Sequence, residues 1–179
     1  MLCRRGVSIQ VIRKADFMPY KKQKQAFFDD IKVVESIPSL VKGPYTVMDL
    51  AQFGAMIGDF YPAHYDYKWA TEKSRAPSVV VYGLKVATDL SQLLSDFAGR
   101  HGAVNRYSNR VTAQTYIGET LTMKGKVTGK FRRHGEGFVE LDIWGEKEGG
   151  ATAVIGKATV ILPDRIKLLG KKHGKENMA

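Results

Sequence analysis

Residues 79–99, VVVYGLKVATDLSQLLSDFAG, decide the fold. Leu84, Ala87, Leu90, Leu94 and Phe97 recur at steps of three and four, and Val86 and Leu93 widen the same face. That period lines apolar side chains along one side of an α-helix. A face this broad predicts a helix that is mostly buried. Gly99 or Gly102 can end it.

Everything after this helix reads as strand. NRVTAQTYI (109–117), ETLTMKGKVTG (119–129), GFVELDIWGEK (137–147) and ATAVIGKATVILP (151–163) show alternation or β-branched enrichment, with Gly, Asn or charged turns between them. Leu121, Met123 and Val127 fall on one face of their strand, and Val139, Leu141 and Ile143 on one face of the next. One buried helix followed by four strands predicts a single α+β domain, with a largely antiparallel sheet wrapped around a long central helix. That is the hot-dog arrangement.

Upstream, IKVVESIPSLVKG (31–43) is β-rich and broken by Pro38, which predicts a leading strand and a bend. YTVMDLAQFGAMIGD (45–59) predicts a helix: Thr46 suits the N-cap and Asp49 the first turn. Val47, Leu50, Ala51, Met56 and Ile57 form its stripe, and Gly58 is a natural stop. Asp59 therefore falls just past a helix end, in a loop whose path Pro62 restricts. DYKWATEK (66–73) predicts a short helix capped by Asp66.

The bulk numbers agree with one globular domain. The chain has 179 residues, 44% of them hydrophobic and 26% charged. No apolar run approaches the ~18 residues of a membrane helix. The basic start MLCRRGVSIQVIRK lacks the continuous apolar core of a secretory signal and only weakly resembles an organelle transit peptide, and Met18 offers an alternative start. The single cysteine, Cys3, excludes an internal disulfide framework and multi-cysteine metal sites, and a reducing cytoplasm fits. The net charge of +10 divides as +6 in residues 1–25, +1 in 26–163 and +3 in 164–179. The ends carry the charge, so they are expected to be basic, flexible segments flanking a domain at 26–163, and the balance argues against a nucleic-acid interface.

The loop IGDFYPAHYD (57–66) holds the candidate chemistry. Asp59 and His64 make a workable acid/base pair, since one group can take a proton from water while the other delivers one. Pro62 removes backbone freedom between them. Gly83 stands near the first turn of the long helix, where free N–H groups and the helix dipole can hold an oxygen that gains negative charge. These ingredients suit addition of water to an α,β-unsaturated carbonyl. Spacing alone leaves the bland readings open: Gly-Asp as a turn, the histidine as a surface or core residue. Asp66 reads as an N-cap. His101, His134 and His173 fall in loops or the tail without convergent partners, and no metal site is expected.

The same residues resemble the MaoC-like, (R)-specific enoyl-CoA hydratases. IGDFYPAHYD resembles their signature Gly-Asp-x-Asn-Pro-x-His-x-Asp at Gly58, Asp59, Pro62, His64 and Asp66, with Tyr61 in place of Asn. YGLKVATDLSQLL resembles their HGMLxASLxSxLL at Gly83, Leu84 and Ser91, with Tyr82 in place of His. QTYIGETLTMKGKV resembles a strand pair with Gly118 and Glu119 at its turn. The likeness spans roughly residues 30–163. It implies a hot-dog dimer, homomeric or with a related subunit, whose sheets join side by side. It implies reversible hydration of an enoyl thioester to the (R)-3-hydroxyacyl thioester. Asp59 and His64 would be catalytic and Gly83 the oxyanion donor, with Tyr61, Tyr82 and Ser91 at the substrate. No cofactor is implied beyond coenzyme A as part of the substrate. Because of Tyr61 and Tyr82, a non-catalytic acyl-binding subunit supporting a catalytic partner is the alternative.

Overall fold

The computed structural model describes residues 24–166. Five strands form one antiparallel sheet: β1 (Leu40–Lys42), β2 (Ala103–Val111), β3 (Leu121–Arg133), β4 (Glu136–Lys147) and β5 (Thr152–Leu162), in the spatial order β1-β3-β4-β5-β2. Among the described residues it is accompanied by the helices α1 (Val47–Ile57), α2 (Tyr67–Glu72) and α3 (Gly83–Ala98).

The sheet curls around α3 because its inner face is apolar at every second position. Leu121, Met123 and Val127 of β3, Val139, Leu141 and Ile143 of β4, and Val154, Ala158, Val160 and Leu162 of β5 are buried. Against them α3 lays Val86, Leu90, Leu93, Leu94 and Phe97. The register aligns Gly125 with Ile143 and Ile143 with Gly156. A Cβ on Gly125 would stand 2.9 Å from Ile37 Cδ1, so the missing side chain lets the leading segment pack onto the sheet.

The cap and stop signals hold for the helices. Thr46 caps α1: Asp49 N–H donates to its hydroxyl at 3.2 Å, and Thr46 N–H donates to the Asp49 carboxylate at 2.8 Å. The Thr46 hydroxyl also donates to that carboxylate, and these bonds hold the Asp49 carboxyl below its ordinary range. Gly58 ends α1 in the left-handed region at φ 70°. Asp66 accepts from Trp69 N–H at 2.9 Å and so caps α2. Of the two possible stops for α3, Gly99 is the one used.

Four expectations need correction. The stripe of α1 expected at Val47, Leu50, Ala51, Met56 and Ile57 is buried only at Leu50: the helix turns Leu50, Phe53 and Gly54 inward and leaves Val47, Ala51, Met56 and Ile57 exposed. The strand expected at 109–117 lies earlier, at Ala103–Val111, while residues 112–117 run on without pairing as a strand apart from one bridge between Val80 and Tyr116. β2 borders only β5 and is exposed along almost its whole length, so AVNRYSNRV carries no apolar alternation to betray it. The leading strand shrinks to Leu40–Lys42 plus a bridge from Ser36 to Lys126. Leu84, expected in the buried stripe, is 58% exposed: it stands on the line of the helix that carries Thr88 and Ser95, which are exposed too, and away from the buried Val86, Leu90 and Leu93.

The described parts of the two basic ends are anchored. The Gln25 side-chain amide donates to the Ala98 carbonyl at 2.8 Å and accepts from His101 N–H at 2.9 Å, closing the end of α3. Arg132 pairs with Asp29 and Asp164, and Arg165 pairs with Asp30. Residues 1–23 and 167–179, for which flexibility is expected, lie outside the described residues.

Candidate active site

Two short elements carry the loop between α1 and α2. Gly58 turns the chain out of α1, and a single 3₁₀ turn at Pro62–His64 brings it back. Asp59 N–H donates to the Gly54 carbonyl at 3.1 Å, so the loop starts pinned to the helix it has just left. The Asp59 carboxylate accepts from Tyr61 N–H at 3.0 Å through Oδ1. This is an Asx-type turn closed within the loop, and it leaves Oδ2 for another partner.

His64 is fixed from the opposite side. Its Nδ1 lies 2.6 Å from the Val80 carbonyl oxygen. A carbonyl only accepts, so Nδ1 carries the hydrogen and Nε2 holds the lone pair of the neutral ring. The Val80 carbonyl is available because residues 79–81 are extended and tied in on both sides: Val80 N–H donates to Ala63, and Val81 N–H to Thr115. Asp59 and His64 are both half-buried.

Tyr82 joins the two. Its ring stacks on His64 with centroids 3.7 Å apart and planes 26° apart, and its hydroxyl donates to the Asp59 carbonyl at 2.8 Å. Burial raises the Tyr82 pKa, and the nearby Asp59 charge adds to the rise, so the hydroxyl keeps its proton at neutral pH. Tyr61 sets its ring edge-on to His64 at 5.9 Å and to Trp69 at 4.7 Å, walling the loop on its α2 side.

Gly83, the next residue, opens α3. The first bond across that end is Val86 N–H to the Tyr82 carbonyl at 3.1 Å, which leaves the N–H groups of Gly83, Leu84 and Lys85 without an acceptor inside the helix. The space in front of Gly83 is open, and a Cβ there would meet only Val111 Cγ2, at 3.6 Å. An oxygen reaching this end meets N–H donors and the positive end of a four-turn helix.

The expected site residues thus divide. Asp59, Tyr61, His64, Tyr82 and Gly83 gather at one end of α3. Ser91 does not join them: eight residues along α3 it stands about 12 Å from Gly83, and its hydroxyl donates to the Thr88 carbonyl at 2.8 Å. Among the described residues no group of three or more His, Cys, Asp or Glu side chains could hold a metal ion. A separate cavity of about 360 Å³ lies near the other end of α3, between residues 24–40 and Leu93, Asp96 and Phe97.

Two features escaped the sequence. Gly54 sits inside α1, where a glycine costs about 1 kcal/mol against alanine, and that cost was its only signal. The second is Asp89, buried on α3. Lys85 donates to both its oxygens at 2.9 Å, and the Tyr45 hydroxyl donates to Oδ2 at 2.8 Å. Burial raises the Tyr45 pKa, with the Asp89 charge adding to it. Tyr45 and Asp89 are too far apart in sequence for any local pattern to connect them.

No family model and no curated protein sequence matches the chain. Solved structures do. The chain is similar to the (R)-hydratase from A. caviae involved in PHA biosynthesis, with 27% identity and a TM-score of 0.66 over 75% of this chain and 98% of that one. It is similar to the MaoC-like dehydratase from Rhodospirillum rubrum, with 16% identity and a TM-score of 0.65 over 78% and 98%. It is also similar to the ChsH1-ChsH2 complex from Mycobacterium tuberculosis, with 17% identity and a TM-score of 0.63 over 73% and 98%. These neighbours agree with the motif resemblance and with the antiparallel sheet curled around α3. No helix among the described residues is long and apolar enough to cross a membrane.

Proposed function

We propose that this chain, which has the hot-dog fold of the MaoC-like hydratases and dehydratases, is a hydro-lyase that adds water reversibly to a trans-2-enoyl thioester. The substrate is an enoyl-CoA and the product the (R)-3-hydroxyacyl thioester. One observation carries the reading: His64 presents a lone-pair nitrogen in the same loop as a carboxylate with a free oxygen, beside a helix end with free N–H donors.

In this reading, Asp59 Oδ2 accepts one hydrogen of the reacting water and His64 Nε2 accepts the other. As the water oxygen bonds to the β-carbon, its proton passes to Nε2. The Asp59 carboxylate and the Val80 carbonyl steady the imidazolium that forms. The π electrons of the double bond move through the α-carbon onto the thioester oxygen, where the Gly83 N–H and the helix dipole stabilise the enolate. The enolate then takes the proton from the imidazolium at its α-carbon, which restores neutral His64. Water is gained, and no external oxidant, reductant or cofactor enters.

The reading includes a dimer, with a second copy or a related subunit along the free edge of β2. That edge runs beside Gly83 through Val111. The alternative, a non-catalytic acyl-binding subunit, draws on Tyr61 and Tyr82 replacing the usual Asn and His. The test is to follow loss of enoyl absorbance with a panel of enoyl-CoA substrates and to resolve the product enantiomers. Turnover to the (R) product by the purified chain supports the enzyme. Acyl-CoA binding without turnover across the panel supports the alternative.

A further inference from the structure

We propose that Tyr82 is a positioning residue for the Asp59/His64 pair and that Gly54 is the seat that admits its hydroxyl; the inference rests on the hydratase reading above. The resemblance to the hydratases put Tyr82 at the substrate. The geometry gives it different work. Tyr82 is 4% exposed, its hydroxyl is committed to the Asp59 carbonyl, and its ring contacts His64 and Phe53.

Each contact removes a freedom that catalysis cannot tolerate. The bond from Nδ1 to Val80 fixes one edge of the His64 imidazole but still lets the ring rock about that bond. The stack on Tyr82 fixes the plane, and with it the direction of Nε2. Phe53, 5.5 Å away and tilted by 52°, backs the tyrosine. The Asp59 peptide is held at both ends: its N–H by the Gly54 carbonyl, its carbonyl by the Tyr82 hydroxyl. Orientation of this kind supports rate without touching the substrate.

Gly54 makes the arrangement possible. A Cβ built there would collide with the Tyr82 hydroxyl oxygen and stand 2.9 Å from the Asp59 carbonyl oxygen. The glycine lies in a regular helix with buried surroundings, so backbone conformation does not explain it. Space for the hydroxyl and for the Asp59 carbonyl it bonds does.

The experiment compares Y82F, Y82L, G54A and G54A/Y82F with the parent chain, using crotonyl-CoA, thermal unfolding and NMR of the His64 ring. Y82F is expected to fold and to lose about tenfold or more in kcat with KM nearly unchanged. G54A is expected to lose about 100-fold, and adding Y82F should recover part of that loss by removing the nearer of the two obstacles, the Asp59 carbonyl being the other. Without substrate, the His64 ring protons should show the upfield displacement of a stacked ring in the parent and in Y82F, and lose it in Y82L. Wild-type kcat in Y82F overturns the proposal. So does a raised KM with kcat unchanged, which would mark a substrate contact, and so does G54A/Y82F no better than G54A. Absence of the ring displacement in the parent chain overturns it whatever the variants do. Undiminished turnover in D59N and H64A would instead remove the hydratase pair itself, and is seen apart from the Tyr82 arms.

Discussion

Two carboxylates, Asp59 and Asp89, sit within reach of the same helix and live under opposite conditions. Asp89 is buried and saturated: Lys85 takes both its oxygens, Tyr45 adds a third bond, and Lys42 stands 3.8 Å away. Asp59 is half-exposed and accepts one bond, from an amide of its own loop. A buried carboxylate with both oxygens engaged by charged or buried donors holds structure together and has little left for a reactant. One whose backbone is clamped while its oxygen stays free is arranged for chemistry. The contrast supports the proposal that the loop carries the chemistry, although Asp89 has the stronger set of interactions.

Exchange of each carboxylate tests that contrast directly. D59N and H64A should each lower kcat/KM for an enoyl-CoA by about 10²–10⁴ while the thermal midpoint stays near that of the parent. A large drop in midpoint with undiminished turnover would reverse the assignment. Gly83 supplies the next effect. G83A keeps the N–H and fits the open space, whereas G83P removes the donor at a helix position that accepts proline. G83P should therefore lose about 10²–10³ in kcat, with G83A far closer to the parent, and equal rates for the two would exclude the amide as the oxyanion donor.

D89N has the opposite signature. It should cost about 2 kcal/mol of stability by weakening hydrogen bonds to a buried charge, read as a lower denaturant midpoint, while turnover per folded molecule stays close to the parent's. T46A should cost about 1 kcal/mol through the lost cap of α1, checked the same way. The smallest effect is alkaline. Burial pushes the Tyr107 hydroxyl, which donates to the Ala87 carbonyl at 2.7 Å, up to about 12. The unfolded chain releases that proton near pH ~10, so between the two values the unfolded state binds fewer protons. Its contribution to stability is whole below the lower value and lost as pH rises through the upper one. Y107F should flatten the alkaline limb of a stability–pH curve; an unchanged slope would count against the assignment.

What could be read in advance follows how local the cause is. The caps at Thr46 and Asp66, the stop at Gly58 and, Leu84 apart, the stripe of α3 depend on neighbours three or four residues apart and stand where the residues imply; the stripe expected for α1 does not. β2 was misplaced because an exposed edge strand needs no apolar alternation. Leu84 fits the three-and-four spacing but lies at the margin of the buried face, on the line of Thr88 and Ser95, and spacing alone does not say where that face ends. The loop was legible as a motif, but the partner that sets the His64 tautomer is the carbonyl of Val80, which no side chain announces. Ser91 matches the second serine of the pattern and stands two turns along α3 from Gly83, with its hydroxyl turned to the Thr88 carbonyl. Asp89 reads in sequence as an ordinary surface acid, and only folding brings Tyr45 to it.

Gly54 and Tyr82 have a consequence for divergence. A side chain at the first position and a phenol at the second exclude one another, so the two sites form a single unit of variation. A relative with a residue other than tyrosine at position 82 lacks the nearer obstacle to alanine at 54 and needs only a small shift of the Asp59 carbonyl, whereas one that keeps the tyrosine faces both. An alignment of near relatives should show the two columns changing together, although neither residue is expected to touch the molecule being transformed.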